Sequence, residues 1–153
     1  IDEKQLDLGV VSDARILKKN IIDKFKIGII NLHPGILPEN RGLDTIKWAI
    51  THDLPQGVTS HFINKKIDMG LKINYEPIKI YRDDTLLDLK IRLQNLEQKM
   101  LIESLQMISR KQFNIDNLKS LKQGKYHSTI TPELEKDLLI NFEKYKIKWS
   151  ENQ

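Results

Sequence analysis

An amide and an imidazole stand two residues apart in the segment Asn31-Leu-His-Pro-Gly-Ile-Leu-Pro-Glu-Asn-Arg-Gly42, at the end of an apolar run that reads as a β-strand. Side chains alternate faces along a strand, so Asn31 and His33 lean the same way if the strand persists to His33. A carboxamide donor beside an imidazole can hold a developing oxyanion or pass a proton. The pair can equally be structural, with Asn31 satisfying loop backbone groups and His33 packed into a turn. A third polar group, Asp68, sits in the turn Asn64-Lys-Lys-Ile-Asp-Met-Gly70, which is longer than a minimal hairpin requires. Longer turns are where functional residues tend to sit, although a carboxylate before Met69-Gly70 is also an ordinary turn residue.

The elements that must position these groups follow from periodicity. Residues 7–12 form a short β-rich run, residues 16–25 carry apolar side chains at 17, 21, 22 and 25 with helical spacing, and residues 28–32 are a second apolar strand. This β, α, β order predicts a parallel pair and an α/β sheet. His33-Pro-Gly-Ile-Leu-Pro38 must be a rigid loop, because two prolines and a glycine remove donors and fix dihedrals. It leaves the C-terminal end of the strand, the edge where open α/β sheets bind ligands. A short helix over 44–51 precedes the breaker Pro55-Gln-Gly57, and strands over 58–63 and 71–80 form an antiparallel hairpin at the sheet edge. Thr85-Leu-Leu-Asp88 has the form of a capping box, and apolar positions 86, 89, 93, 96 and 100 predict one amphipathic helix over roughly 85–109. Residues 111–128 read as a polar, Lys-rich linker. Thr131-Pro132 opens a last helix reaching about Trp149.

Composition narrows the function classes. The chain has 153 residues, 39% hydrophobic and 30% charged, which suits one domain with a modest core. No stretch approaches the ~20 consecutive apolar residues of a membrane span, and the first eight residues do not read as a signal peptide. The setting expected is cytoplasmic. Zero cysteines exclude disulfides and thiol catalysis by these residues. A net charge of +4, from 25 basic and 21 acidic residues, is scattered. It would help attract an anionic ligand but lacks the clustered basic face of a nucleic-acid binder. His52 and His127 belong to no motif and are expected on the surface.

Asn31, His33, Leu37, Pro38, Arg41 and Gly42 occupy the matching places of a pattern of the folate-dependent formyltransferases, Asn-x-His-x-Ser-Leu-Leu-Pro followed by Arg-Gly or Lys-Gly. Gly57-Val-Thr-Ser-His-Phe-Ile63 leading to Asp68-Met-Gly70 is similar to that family's second element, and Ala14-Arg-Ile-Leu17 to the segment whose backbone lines its pterin pocket. The resemblance covers about residues 7 to 110. It implies transfer of a formyl group from 10-formyltetrahydrofolate to an amine, with no metal. Asn31 would position the formyl oxygen. His33 would stabilise the tetrahedral intermediate, and Asp68 would hold His33 charged and accept the amine proton. Arg15, Ile16, Leu17, Ile63, Asn64 and Asp68 would contact the folate, and His61, Pro34, Gly35 and Arg41 would support the pocket.

Gly35 replaces the serine usual in purine-pathway and initiator-tRNA members, and Arg41-Gly-Leu-Asp44 departs from the tRNA enzymes' pattern. Both departures resemble amino-sugar N-formyltransferases, and the tail after Gly124 is short for the extra β-barrel of tRNA enzymes. A nucleotide-linked amino sugar, as in lipopolysaccharide biosynthesis, is therefore the acceptor expected. A phosphoribosylglycinamide-type purine enzyme and a catalytically idle folate-binding or assembly fragment are the alternatives. The fold implied is a partial Rossmann-like formyltransferase fold. Its parallel strands are extended by an antiparallel hairpin and followed by a long C-terminal helix. Residues 1–110 would be the C-terminal part of the catalytic domain, and 111–153 a polar linker with a short helical tail. The family's opening strands would precede Ile1 and leave a sheet edge exposed, so a fragment, or pairing with another copy or chain, such as a homodimer through the long helix or the C-terminal tail, is expected.

Overall fold

The structure is a computed structural model and describes residues 6–11, 17–66 and 68–151. In chain order the elements are β1 (Leu6–Val11), α1 (Lys19–Ile22), β2 (Phe25–His33), β3 (Arg41–Gly42), α2 (Thr45–His52), β4 (Gly57–Ile63), β5 (Gly70–Pro77), α3 (Leu86–Ile108), β6 (Lys119–Ser120), β7 (Tyr126–His127), α4 (Pro132–Glu135) and α5 (Leu138–Glu151). Five strands form one sheet in the order β1-β2-β4-β5-β6, and β3 and β7 pair separately. β1 runs parallel to β2, whereas β4 lies antiparallel to both β2 and β5. This is the mixed α/β architecture expected, with the parallel pair extended by an antiparallel hairpin.

Alternation along β2 and β4 divides the sheet into two working faces. Ile30, Leu32, Val58 and Phe62 join the core built with Leu89, Leu93, Leu96 and Met100 of α3. On that face Ser60 Oγ meets Ser104 Oγ of α3 at 2.8 Å, so the polar pair in the core is satisfied. Asn31, His33, Thr59 and His61 occupy the alternate positions, paired Asn31 with His61 and His33 with Thr59 across the two strands. The loop after β2 is tied to that second face by Thr59, whose hydroxyl accepts from Leu37 N–H at 3.0 Å and donates to Gly35 O at 2.8 Å.

The long helix starts where the sequence places it. Thr85 Oγ1 accepts from Asp88 N–H at 3.2 Å, and the Asp88 carboxylate accepts in return from Thr85 N–H at 2.8 Å. Because Leu89 is fully buried against the sheet, Leu89→Ala is expected to cost about 2–5 kcal/mol. Urea unfolding would measure it, and a loss well under 1 kcal/mol would show that α3 does not anchor the sheet as described.

Five expectations are corrected. The helix over 16–25 shrinks to α1, because Phe25 joins β2 and pairs with Leu6 of β1. The strand over 71–80 ends at Pro77, which cannot donate to a ladder, although Ile78 and Ile80 remain buried. The helix over 131–149 is divided into α4 and α5. Residues 111–128, mostly exposed, are not a free linker: β6 pairs with β5, β7 pairs with β3, and Leu121 and His127 are buried. His127 stacks on Trp48 at 4.9 Å between ring centroids, which removes it from the surface, whereas His52 is exposed. No described helix is long and apolar enough to cross a membrane.

Candidate active site

β2 delivers Asn31 and His33 onto one face, and the hairpin turn between β4 and β5 brings Asp68 to His33. The His33 Nδ1 to Asp68 Oδ1 separation is 3.5 Å, with side chains only 5% and 11% exposed. His33 Nε2 lies 2.8 Å from the Asn40 carbonyl oxygen, a group that can only accept, so Nε2 carries a proton. The lone pair of the neutral imidazole is thereby assigned to Nδ1, the nitrogen facing Asp68. The proton that His33 can gain or give sits at that atom, beside a carboxylate able to stabilise the charged ring.

Asp68 is held in a left-handed conformation, φ 45°, uncommon for a residue with a side chain. Its second oxygen, Oδ2, accepts the Gly42 N–H at 2.9 Å, which leaves Oδ1 toward the imidazole. The loop between His33 and Gly42 is closed tightly. A Cβ added at Gly35 would lie 2.5 Å from Asn40 O and 3.0 Å from His33 Nε2. A serine there would push apart the bond that fixes the His33 tautomer, so glycine and the His33–Asn40 bond go together.

His61 is fully buried. Its Nδ1 reaches the Phe62 carbonyl oxygen at 3.2 Å and its Nε2 lies 3.3 Å from Asn31 Nδ2. The neutral ring satisfies both contacts only if Nδ1–H donates and Nε2 accepts from the amide. That protonation state is favoured: burial, and then the neighbouring His33, push the His61 pKa from 6.5 down to about 4. Between these values an unfolded chain binds a proton that the folded chain does not, so stability held above pH 6.5 is lost as pH falls toward 4. The slope approaches ~1.4 kcal/mol per pH unit and flattens below pH 4. His61→Gln should flatten it, measured as urea midpoints across that window. An unchanged slope would contradict the assignment.

The other residues singled out from sequence are spread more widely. Ile63 and Asn64 border a cavity of about 540 Å³, together with Ile22, Leu71 and Ile115, and Lys19, Lys65 and Lys66 stand at the same cavity. Asn31, His33 and Asp68 do not line it. Leu17 and Pro34 are half-buried, and Arg15 and Ile16 lie outside the described residues. Arg41 reaches Gly124 O through Nη1 at 3.2 Å and sits 5.7 Å from the Tyr126 ring centroid. Missed from sequence were the Asn40 carbonyl, the Gly42 amide and the Thr59 hydroxyl. Backbone groups carry no residue signature, and Thr59 could have been found only as the strand partner of His33.

Residues 1–105 match the model of the formyl transferase family. The chain belongs to that family. Among similar proteins, the methionyl-tRNA formyltransferase of Fusobacterium nucleatum is 33% identical over 147 residues, covering 94% of this chain and 46% of its own length. The enzyme of that name from Ehrlichia ruminantium is 35% identical, covering 82% of this chain and 40% of its own. The chain thus spans less than half the length of these curated relatives. Among solved structures, the formyltransferase PseJ from Anoxybacillus kamchatkensis, in complex with a UDP-linked formamido sugar and tetrahydrofolate, superposes with a TM-score of 0.69. It is 27% identical, and the match covers 98% of this chain and 78% of that one. The phosphoribosylglycinamide formyltransferase of Bacillus halodurans gives a TM-score of 0.63 at 31% identity, over 71% of this chain and 57% of that one.

Proposed function

We propose that this formyl transferase chain carries a formyl group from 10-formyltetrahydrofolate to the primary amine of a nucleotide-linked amino sugar. The observation that carries the reading is the buried pairing of His33 Nδ1 with Asp68 Oδ1 at 3.5 Å, beside Asn31 on the same strand face. The folate supplies the formyl carbon. Asn31 offers an amide N–H to the formyl oxygen as negative charge gathers there, and His33 places the proton on its Nδ1 beside the same centre. Asp68 takes the proton that the attacking amine must lose, directly or through water, and the His33 proton goes to the departing folate nitrogen. The apolar wall of Ile22, Leu71 and Ile115 with the ammonium groups of Lys65 and Lys66, Lys19 being paired with Asp23, is chemically suited to a flat aromatic body and an anionic glutamate tail. Ile63 and Asn64 are the proposed folate contacts there.

The sugar acceptor is supported by the likeness to PseJ over nearly the whole chain and by Gly35 in the loop. A second reading, an aminoacyl-tRNA acceptor, is favoured by the 33–35% identical curated relatives. Supplying 10-formyltetrahydrofolate with a nucleotide-linked amino sugar, glycinamide ribonucleotide or methionyl-tRNA, and following tetrahydrofolate release, separates the readings. Turnover is expected with the sugar. Turnover with methionyl-tRNA alone would replace the acceptor, and folate binding with no turnover on any amine would leave a binding module.

A further inference from the structure

The segment that follows the family-matched residues grips the candidate carboxylate from both sides. On one side Leu121 N–H donates to Gly70 O at 2.8 Å, while Ser120 and Lys119 pair with Leu71 and Lys72. These bonds fix the chain two residues after Asp68. On the other side β7 pairs with β3, Gly42 opposite His127, and Leu43 N–H donates to His127 O at 2.9 Å. Gly42 is the residue whose N–H holds Asp68 Oδ2. Residues 119–128 therefore fix both the turn that carries Asp68 and the amide that orients its carboxylate.

Two glycines make this grip close. Gly42 has φ 109°, and a Cβ there would lie 2.1 Å from His127 O. A Cβ on Gly124 would lie 1.8 Å from Pro38 O, in the loop between His33 and Gly42, and the Gly124 carbonyl accepts from Arg41 Nη1. The segment thus meets the loop by backbone-to-backbone contact, where a single added methyl must displace it.

Resting on the role proposed above for Asp68, we infer that residues 119–128 are a positioning strap: through Gly70 and Gly42 they set the Asp68 carboxylate against His33, so formyl transfer depends on a segment beyond the family-matched residues. Ser120 and Leu121 of the strap also line the cavity proposed for the folate, whereas Gly124 does not. A change confined to Gly124 reaches turnover through Asp68.

Gly124→Ala in the full chain tests this. The expected result is a roughly 10- to 100-fold fall in kcat with the KM for 10-formyltetrahydrofolate little changed, because misplacing a reacting group by a fraction of an ångström slows chemistry more than binding. In an Asp68→Asn background the same substitution should add almost nothing, whereas a merely structural defect would multiply with it. Undiminished kcat, or full multiplication, would overturn the strap. Should Gly124→Ala fail to fold, amide exchange in the unaltered chain decides. Gly42 N–H must exchange as slowly as the amides of β2, and exchange at the rate of an open loop would refute the grip. Undiminished turnover of Asp68→Asn itself would instead remove the role given to Asp68, and the strap's catalytic effect with it. A crippled Asp68→Asn beside an active, folded Gly124→Ala would remove the strap alone.

Discussion

His33→Ala is expected to lower the rate of formyl transfer by about 10²–10⁴-fold while folate binding persists. The structure gives the reason for separating the two effects. His33 faces Asp68 across 3.5 Å through Nδ1, and it does not line the cavity proposed to take the folate. The substitution also leaves the Asn40 carbonyl without its 2.8 Å donor, a buried loss costing about 1–3 kcal/mol. Turnover must therefore be compared at a temperature where circular dichroism shows the variant folded. Single-turnover kinetics with bound folate then read chemistry alone. Undiminished transfer by folded His33→Ala would end the proposal that this imidazole moves the proton.

Much of this arrangement can be read from residue types alone, and the reasons for the remainder are physical. The α3 helix announces itself because its cap and its apolar stripe are both local, Thr85 to Asp88 and positions 86 to 100. The approach of Asp68 to His33 was expected from two separated motifs, and the fold realises it through the register of β4 on β2. Residues 119–128 escaped notice because strands of two residues have no period to detect, and their Lys-rich composition reads as solvated chain. The partners they hold, Gly70 O and Leu43 N–H, belong to the backbone and leave no trace in side-chain chemistry. Helix α1 was overestimated because Phe25 fits both an amphipathic helix and a strand, and pairing with β1 decided for the strand.

Asn31→Ala should be nearly as damaging as loss of His33, with kcat reduced about 10²–10³-fold, the usual consequence of deleting one preorganised donor to a developing oxyanion. The amide is held by His61, and that hold depends on a neutral ring whose Nε2 accepts from Asn31 Nδ2 at 3.3 Å. Removing the amide therefore leaves His61 Nε2 buried without a donor, and stability should fall by about 1–3 kcal/mol beyond the loss of packing. Asn31→Asp separates the two roles. A carboxylate has no N–H for either the formyl oxygen or His61, so turnover should again collapse. The new negative charge would, however, favour a protonated His61 and raise its pKa from about 4, visible as a shifted midpoint in the NMR titration of that ring. The acid-sensitive stability assigned to His61 should diminish in the same variant, because a ring that binds its proton in the folded chain no longer favours unfolding as pH falls. An Asn31→Asp chain that kept its turnover, or whose His61 still titrated near 4, would show that the amide does not link the buried histidine to the reacting centre.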